Sequence, residues 1–526
     1  MFMEETQSQK KKLSPKALIS IIIAAILLIG GGVAAYIFAN VSDKQKYFLA
    51  EKNTMEFMTE QIEKRYEPEL DWLEQSKEKP VETNYELSAE SNMATEDLGM
   101  GEMDLSQYIN NSTISLKHAA DMKNKQMAGR FQADIGGIKV DGVEYYLTAE
   151  QFMLGLPFLD ELLSVKGKNV GNLLYQLDPT TYTGEENIDF GTFFEGSLSE
   201  EDVEYIKKEY GEMIYDQLSD EAFKSEDETI KVHDQSLDTE KITMKLSEKK
   251  LKEMLKETVE KLQSDDKLKD LIRKQLELQA MGSSALDSDI DQVLKEFDTS
   301  LKEAKDGIDN LHIPNGLTST IWVHDDVIAQ RDFSVKLGPD KDQLVTFSIK
   351  GTHLLKEEKQ QFNLDFGFED SNNQDKMNVT GDLSWKDEKA KDSIKLTIED
   401  LTLSYDGKES LKDGKRDFER TFSLKDPAGE SGSIIWSGSS TYKDDKMNAD
   451  HSFAFAPAVD SQHLFSLHAA VDGKTMDSVK IPKDDQTKDL GAMQAEELMQ
   501  YFETEVGPKF EGWLVELLSA SGNLAS

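Results

Sequence analysis

The sequence predicts an α+β fold: an N-terminal transmembrane helix followed by two domains of curved antiparallel sheet covered by amphipathic helices. Three observations predict it. Residues 17–39, ALISIIIAAILLIGGGVAAYIFA, carry no charge over 23 positions, about 35 Å of helix and enough to cross a ~30 Å hydrocarbon core. Apolar residues recur at helical spacing in six separate stretches, and nearly everywhere else they alternate with polar ones at a period of two.

The first element is the run Ala17–Ala39. Lys10, Lys11, Lys12 and Lys16 precede it, which predicts a 1–16 leader on the cytoplasmic side, a single-pass span at 17–39 and everything after it outside the cell. The run is longer than the apolar part of a cleaved signal peptide, and Phe38-Ala39-Asn40-Val41 is a poor cleavage site, so the span reads as a retained signal-anchor.

After the span, Phe48, Met55, Met58, Ile62 and Tyr66 predict a helix that ends before Pro68. From Tyr85 the period becomes two, through Ile114 and Leu116, Phe131 and Ala133, and Tyr145 and Leu147, which reads as an antiparallel meander with one apolar face. Phe152–Leu159 is apolar but too short to be a second span. Residues 178–198 read as loop, and Ser199 caps a helix whose apolar side is Val203, Ile206, Tyr210 and Ile214. A strand at Ile242–Leu246 leads to two helices, marked by Leu251 to Leu262 and Leu268 to Leu276, with Ser264 as the cap between them. Met281-Gly282-Ser283-Ser284-Ala285 reads as a linker. It divides a first domain, 40–281, from a second, 282–526.

The second domain opens on one stripe, Ile290, Val293, Leu294, Phe297, Leu301, Ala304, Ile308 and Leu311, closed by Pro314-Asn315-Gly316. About nine strands follow, and their phase shifts at Glu399-Asp400, which reads as a bulge or bend. A last stripe from Leu498 to Leu517 is broken at Gly507-Pro508.

Composition narrows the function classes. The chain has 526 residues, no cysteine and a net charge of −41. Disulfides, a thiol nucleophile and a lipid-modified cysteine are therefore excluded. A surface this acidic repels nucleic acid. The eight histidines are scattered, with no HExxH pattern, and no GxSxG occurs. SxxK occurs at Ser76–Lys79, Ser247–Lys250 and Ser264–Lys267 without a companion KTG, as chance allows in a lysine-rich chain. Gly473-Lys474-Thr475 lacks the earlier P-loop glycine, and Val471–Lys474 reads as a hairpin turn. Asp287, Asp289, Asp291 and Asp298 echo a calcium loop, but Gln292 stands where that loop needs glycine. No catalytic, cofactor-binding or metal-ligating residue is assigned, and no cofactor is expected.

The lysine-flanked run followed directly by Tyr47-Phe48-Leu49-Ala50-Glu51 resembles single-pass extracytoplasmic envelope proteins of Gram-positive bacteria, which implies a surface location and no activity. In outline, the meander Ile114–Leu147 with Phe152–Leu159, and the sheet Ile321–Val471, are similar to the half-barrels of lipoprotein carriers and lipid-binding lipoproteins. That likeness implies a concave face that holds acyl chains. The expectation is a membrane-anchored, extracytoplasmic, non-enzymatic interaction or scaffold protein of the cell envelope. The alternative is a carrier or sensor of a lipid or other apolar ligand on the concave face of a half-barrel. The partners expected are the membrane, through Ala17–Ala39, with an envelope protein or a lipid ligand left open and nucleic acid excluded.

Overall fold

The computed structural model describes residues 42–92, 105–195, 199–280, 287–371, 373–428, 431–457 and 464–520. Twenty strands join in one sheet. The first six are β1 (Val81–Ser91), β2 (Thr113–Asp121), β3 (Gln126–Ile135), β4 (Ile138–Thr148), β5 (Gln151–Gly155) and β6 (Leu162–Lys166). Next come β7 (Phe223–Val232), β8 (Gln235–Leu246), β9 (Leu317–His324), β10 (Val327–Leu337), β11 (Val345–Lys356), β12 (Lys359–Glu369) and β13 (Gln374–Lys386). The last are β14 (Lys389–Ile398), β15 (Leu401–Lys412), β16 (Lys415–Lys425), β17 (Ser431–Lys443), β18 (Lys446–Ala456), β19 (Phe465–Thr475) and β20 (Thr487–Asp489). Each strand from β7 to β18 pairs antiparallel with its successor; β19 then pairs with β1, and the meander resumes to β6, where β20 adds a short parallel edge.

Tight turns set this registration. Asp325-Asp326 and Asp387-Glu388 take positive φ at both turn residues, the backbone of a two-residue hairpin whose twist matches its strands. Asp413-Gly414 and Gly136-Gly137 do the same, and these two turns use the residue that adopts this conformation without strain. Glu399-Asp400, predicted as a bulge or bend, is the two-residue connection between β14 and β15, with positive φ at Glu399 alone (+53°). The phase of the alternation shifts there because the chain turns back.

Two helices lie on the sheet ahead of β1: α1 (Asp43–Arg65) and α2 (Glu67–Glu78). The short α3 (Leu105–Asn110), α4 (Val170–Leu177), α5 (Glu200–Ile206) and α6 (Met213–Gln217) follow in connections. The larger α7 (Glu248–Ser264), α8 (Asp266–Ala280) and α9 (Asp287–Ile308) sit between β8 and β9, and α10 (Ala495–Tyr501) and α11 (Gly507–Ala520) end the described chain. Ser199 caps α5 as predicted, through a reciprocal capping box with Asp202. Asp265, not Ser264, caps α8: its Oδ1 accepts from the Leu268 N–H, while the Ser264 hydroxyl donates back to the Glu260 carbonyl.

The main core lies where β7–β10 meet α1, α7 and α9. Tyr47, Phe48, Ile242, Leu251, Leu301, Ile321 and Val335 are all buried there in one cluster. From that core α1 runs across the strands. The Tyr47 hydroxyl meets Ser319 of β9, Glu51 pairs with Arg331 of β10, and Arg65 pairs with Asp392 of β14 and Glu409 of β15. Fourteen residues of helix between Glu51 and Arg65 rise about 21 Å, and strands spaced ~4.8 Å apart place β14 and β15 at that distance from β10.

The junction of α1 and α2 is fixed by buried charge. Arg65 Nε lies 2.5 Å from Glu409 Oε1 and Arg65 Nη2 2.7 Å from Asp392 Oδ2. Arg416 Nη1 reaches the same Glu409 oxygen at 2.9 Å and Arg416 Nε reaches Glu69 at 2.6 Å, while Arg420 Nη2 holds the other Glu409 oxygen at 3.2 Å. Three guanidinium groups thus meet three carboxylates, so the cluster is neutral. Burial alone would raise the Glu409 carboxyl, but the hydrogen bond and charge of Arg65 and the charge of Arg416 outweigh it and leave it below its ordinary value.

Two expectations are corrected here. Two sheet domains are replaced by one sheet: β8 pairs with β9 across the predicted 281/282 boundary, and β1 enters the sheet beside β19. Eleven strands lie between residues 317 and 475 against about nine predicted, because β9 is buried on both faces from Ser319 to Trp322 and β10 changes register at a bulge between Ile328 and Gln330. The transmembrane helix predicted at 17–39 lies outside the described residues, and among those that are described no helix is long and apolar enough to cross a membrane. In place of a single-pass helix with two α+β domains, the described chain is one large, mostly antiparallel sheet with helices over part of it.

Removing one partner from a buried, paired cluster strands the others. Glu409→Ala should therefore destabilise the fold by about 3–5 kcal/mol, read as a fall in the urea midpoint at unchanged slope. A second expectation concerns His353, whose imidazole is pushed down to about 4 by burial and by the nearby Arg331 and His233. In the unfolded chain it titrates near 6.5. As pH falls from about 6.5 towards 4 the unfolded state takes up the proton first, so stability is present above this window and drains within it, by up to about 3 kcal/mol. His353→Phe should flatten that part of a stability-against-pH curve; an unchanged slope would show that His353 does not produce it.

Candidate functional site

Because side chains alternate across a strand, the strand registers fix which residues share a face. One row runs straight across six strands: Ile394, Tyr405, Phe422, Ile434, Phe455 and Phe465 are successive cross-strand partners. Beside it lies Val379, Leu396, Leu403 and Leu424. The same face continues through Leu467, Ala469 and Val471 of β19, Ala89, Leu87 and Tyr85 of β1, and Ile114 and Leu116 of β2 to Phe131 and Ala133 of β3. The other face of the central strands is polar, with Ser404, Ser423, Ser433 and Ser437 among its residues.

From β11 through β19 and on through β1 to β5, this apolar face is fourteen strands broad, about 60 Å at ~4.8 Å per strand. Among the described residues it carries charge only at Asp375, at the end of a strand, in Glu409 with its partners Arg416 and Arg420, and in Asp392, which pairs with Arg65 of α1. Three histidines that are scattered in the sequence, His118, His353 and His451, share the face. Burial lowers the affinity of each for a proton, and this helps keep the face uncharged near neutral pH. His118 Nδ1 lies 2.7 Å from the Tyr145 hydroxyl, and His451 Nδ1 accepts from Trp436 Nε1 at 3.3 Å.

Cover is uneven along the strands. The helix junction and the charge cluster occupy the half that holds Asp392, Glu409 and Arg416. There the Arg420 guanidinium lies 4.5 Å from the ring centres of both Phe418 and Trp436, a stack that keeps a cation in apolar surroundings. The other half is open. Ile398, Leu403, Phe422, Leu424, Ile434 and Phe455 are 41–48 % exposed, although large contiguous apolar patches are rare on free soluble surfaces. A groove of about 470 Å³ is hollowed there, lined by Ile394, Leu396, Tyr405, Phe422, Ile434 and Phe455. At both ends of its breadth the face is closed by the chain's own packing. Phe347 and Ile349 join the main core at one end, and Leu147 meets Val170, Phe190 and Phe194 at the other.

The residues weighed from sequence lie elsewhere. Ser247 Oγ caps α7 by accepting from the Lys250 N–H, and Ser76 Oγ donates to the Leu73 carbonyl. Val471–Lys474 lies inside β19 and is no turn; a side chain at Gly473 would collide with Trp72 of α2, so glycine is there for close packing. Asp291 pairs with Arg273 and Asp298 with Lys269, and among the described residues no cluster of three His, Cys, Asp or Glu could hold a metal. The apolar face was visible in sequence as alternation, but which half of it the helices leave bare depends on Arg65 finding Glu409 across 344 residues.

Comparison with protein families and with characterised proteins finds no match. Solved structures with a similar course include Salmonella typhi OmpF in complex with daunomycin, 7 % identical over 76 % of this chain and 99 % of that one, with a TM-score of 0.23. Acinetobacter baumannii OccAB2 is 5 % identical over 76 % of this chain and 97 % of that one, with a TM-score of 0.25. A BenF-like porin from Pseudomonas fluorescens is 6 % identical over 76 % and 98 %, with a TM-score of 0.23. Superposition at that level is too poor to carry an argument about fold or function.

Proposed function

We propose that this chain is a non-enzymatic lipid-holding protein that works at a membrane and shelters acyl chains on the open half of its apolar face. The observation that carries the reading is the groove bounded by Leu403, Phe422 and Ile434, set in a broad face whose only central charges neutralise one another. An acyl chain asks for this surface, since it offers no donor, acceptor or charge to satisfy. A protein partner would leave its own polar groups opposite a face with nothing to pair them. Exposed Leu and Phe side chains each gain about 25 cal/mol for every Å² taken out of water. The acidic exterior, at −41, disfavours anionic headgroups and favours a zwitterionic or neutral lipid.

A cysteine-free chain permits a direct test. A fluorophore placed by Leu403→Cys should be quenched by phosphatidylcholine that carries a nitroxide on its acyl chain, whereas one placed by Thr402→Cys, on the opposite face, should not. Equal quenching at both sites, or none at either, would overturn the reading. Leu403→Asp combined with Phe422→Asp should weaken lipid binding at least tenfold with little loss of stability, since both side chains are about two-fifths exposed.

A further inference from the structure

We infer that the face holds a row of lipids side by side, their acyl chains lying along the strands and their headgroups at the rim where β14 turns into β15. This rests on the reading above and adds capacity and orientation to it.

The open half has two dimensions. Along the strands it runs from Ile394, next to the charge cluster, to Ile398 at the turn, and the four residue steps span about 14 Å. One leaflet's acyl chains occupy about 15 Å, half of the ~30 Å hydrocarbon core. Across the strands its exposed side chains run from Ile398 of β14 to Phe455 of β18, four strand spacings or about 19 Å, wider than one lipid whose chains lie along the strands. One such lipid would leave part of that breadth in water, whereas two or more side by side cover it. The two boundaries also differ in kind. At the inner end the Glu409 cluster and the α1–α2 junction form a polar wall. Its guanidinium groups are already paired with carboxylates, so it stops a chain end without attracting a headgroup. At the outer end Glu399 and Asp400 form an exposed, hydrated turn where a zwitterionic headgroup remains in water. The packed clusters that close the breadth at both ends limit the row and argue against open passage along the sheet. The surface is equivalent to a strip of one bilayer leaflet.

The test counts and orients lipids on the full chain. Native mass spectrometry after incubation with phosphatidylcholine should show at least two lipids bound to one chain at once, and Phe422→Asp should lower the maximum number without abolishing binding. Fluorophores at Ile398→Cys and Ile394→Cys report orientation. A nitroxide near the headgroup should quench the first more strongly, and a nitroxide near the chain end should quench the second more strongly. A ceiling of one lipid, loss of all binding in Phe422→Asp, or quenching independent of nitroxide position would each overturn the row while leaving lipid binding intact. No lipid bound by the unsubstituted chain would overturn the underlying reading instead. If Phe422→Asp melts early, Phe422→Ser replaces it with the same expected fall in number.

Discussion

Everything in this molecule depends on one constraint: in an unbroken antiparallel ladder, side chains alternate, so an apolar face once begun is passed from strand to strand. The registers from β11 to β19 and on through β1 carry one apolar face from strand to strand, as in Tyr405 opposite Phe422, Ile434 opposite Phe455, Phe453 opposite Leu467 and Leu87 opposite Ala469. A sheet of this breadth makes more apolar surface than its helices can cover. At the β7–β10 end α1, α7 and α9 fill the curl and produce the main core; over the centre only the α1–α2 pair is available, and it reaches half the length of the strands.

What holds that pair in place is unlike the core. Ion pairs in water are worth little, and even buried ones cost nearly as much to dehydrate as they return. The cluster of Arg65, Arg416 and Arg420 with Glu69, Asp392 and Glu409 is better understood as a positioning device. A purely apolar seat would let α1 slide along a surface that looks much the same from strand to strand, whereas guanidinium forks on fixed carboxylates accept one register. The same neutralised cluster then marks where the apolar half begins.

Much of this was legible in the sequence, and the failures have physical causes. Helix α9 and the strands β11–β18 follow from their periods, because each has one apolar and one polar side. β9 escaped, since Ser319, Thr320, Ile321 and Trp322 are all buried and the alternation is lost. Loop-like composition at 281–285 suggested a domain boundary, yet composition is silent about which strands pair, and β8 joins β9 directly. The alternation at Phe422 and Ile434 showed an apolar face. That it stays open could not be read there, because it depends on where Arg65 lands.

The placement of β1 between β19 and β2 has a consequence for how the chain reaches this state. Strands β1–β6 are made early in synthesis, but the neighbour that ties them to the rest of the sheet, Phe465–Thr475, comes almost four hundred residues later. Until it emerges, β1 has a bare edge along its whole length. Such distant pairings fold slowly, because the loop must close before any contact repays it, and a bare apolar edge invites other chains meanwhile. Glu82, Glu86 and Glu90 along β1 give the waiting strand a row of like charge on its polar face, a repulsion that discourages a second nascent copy from docking first.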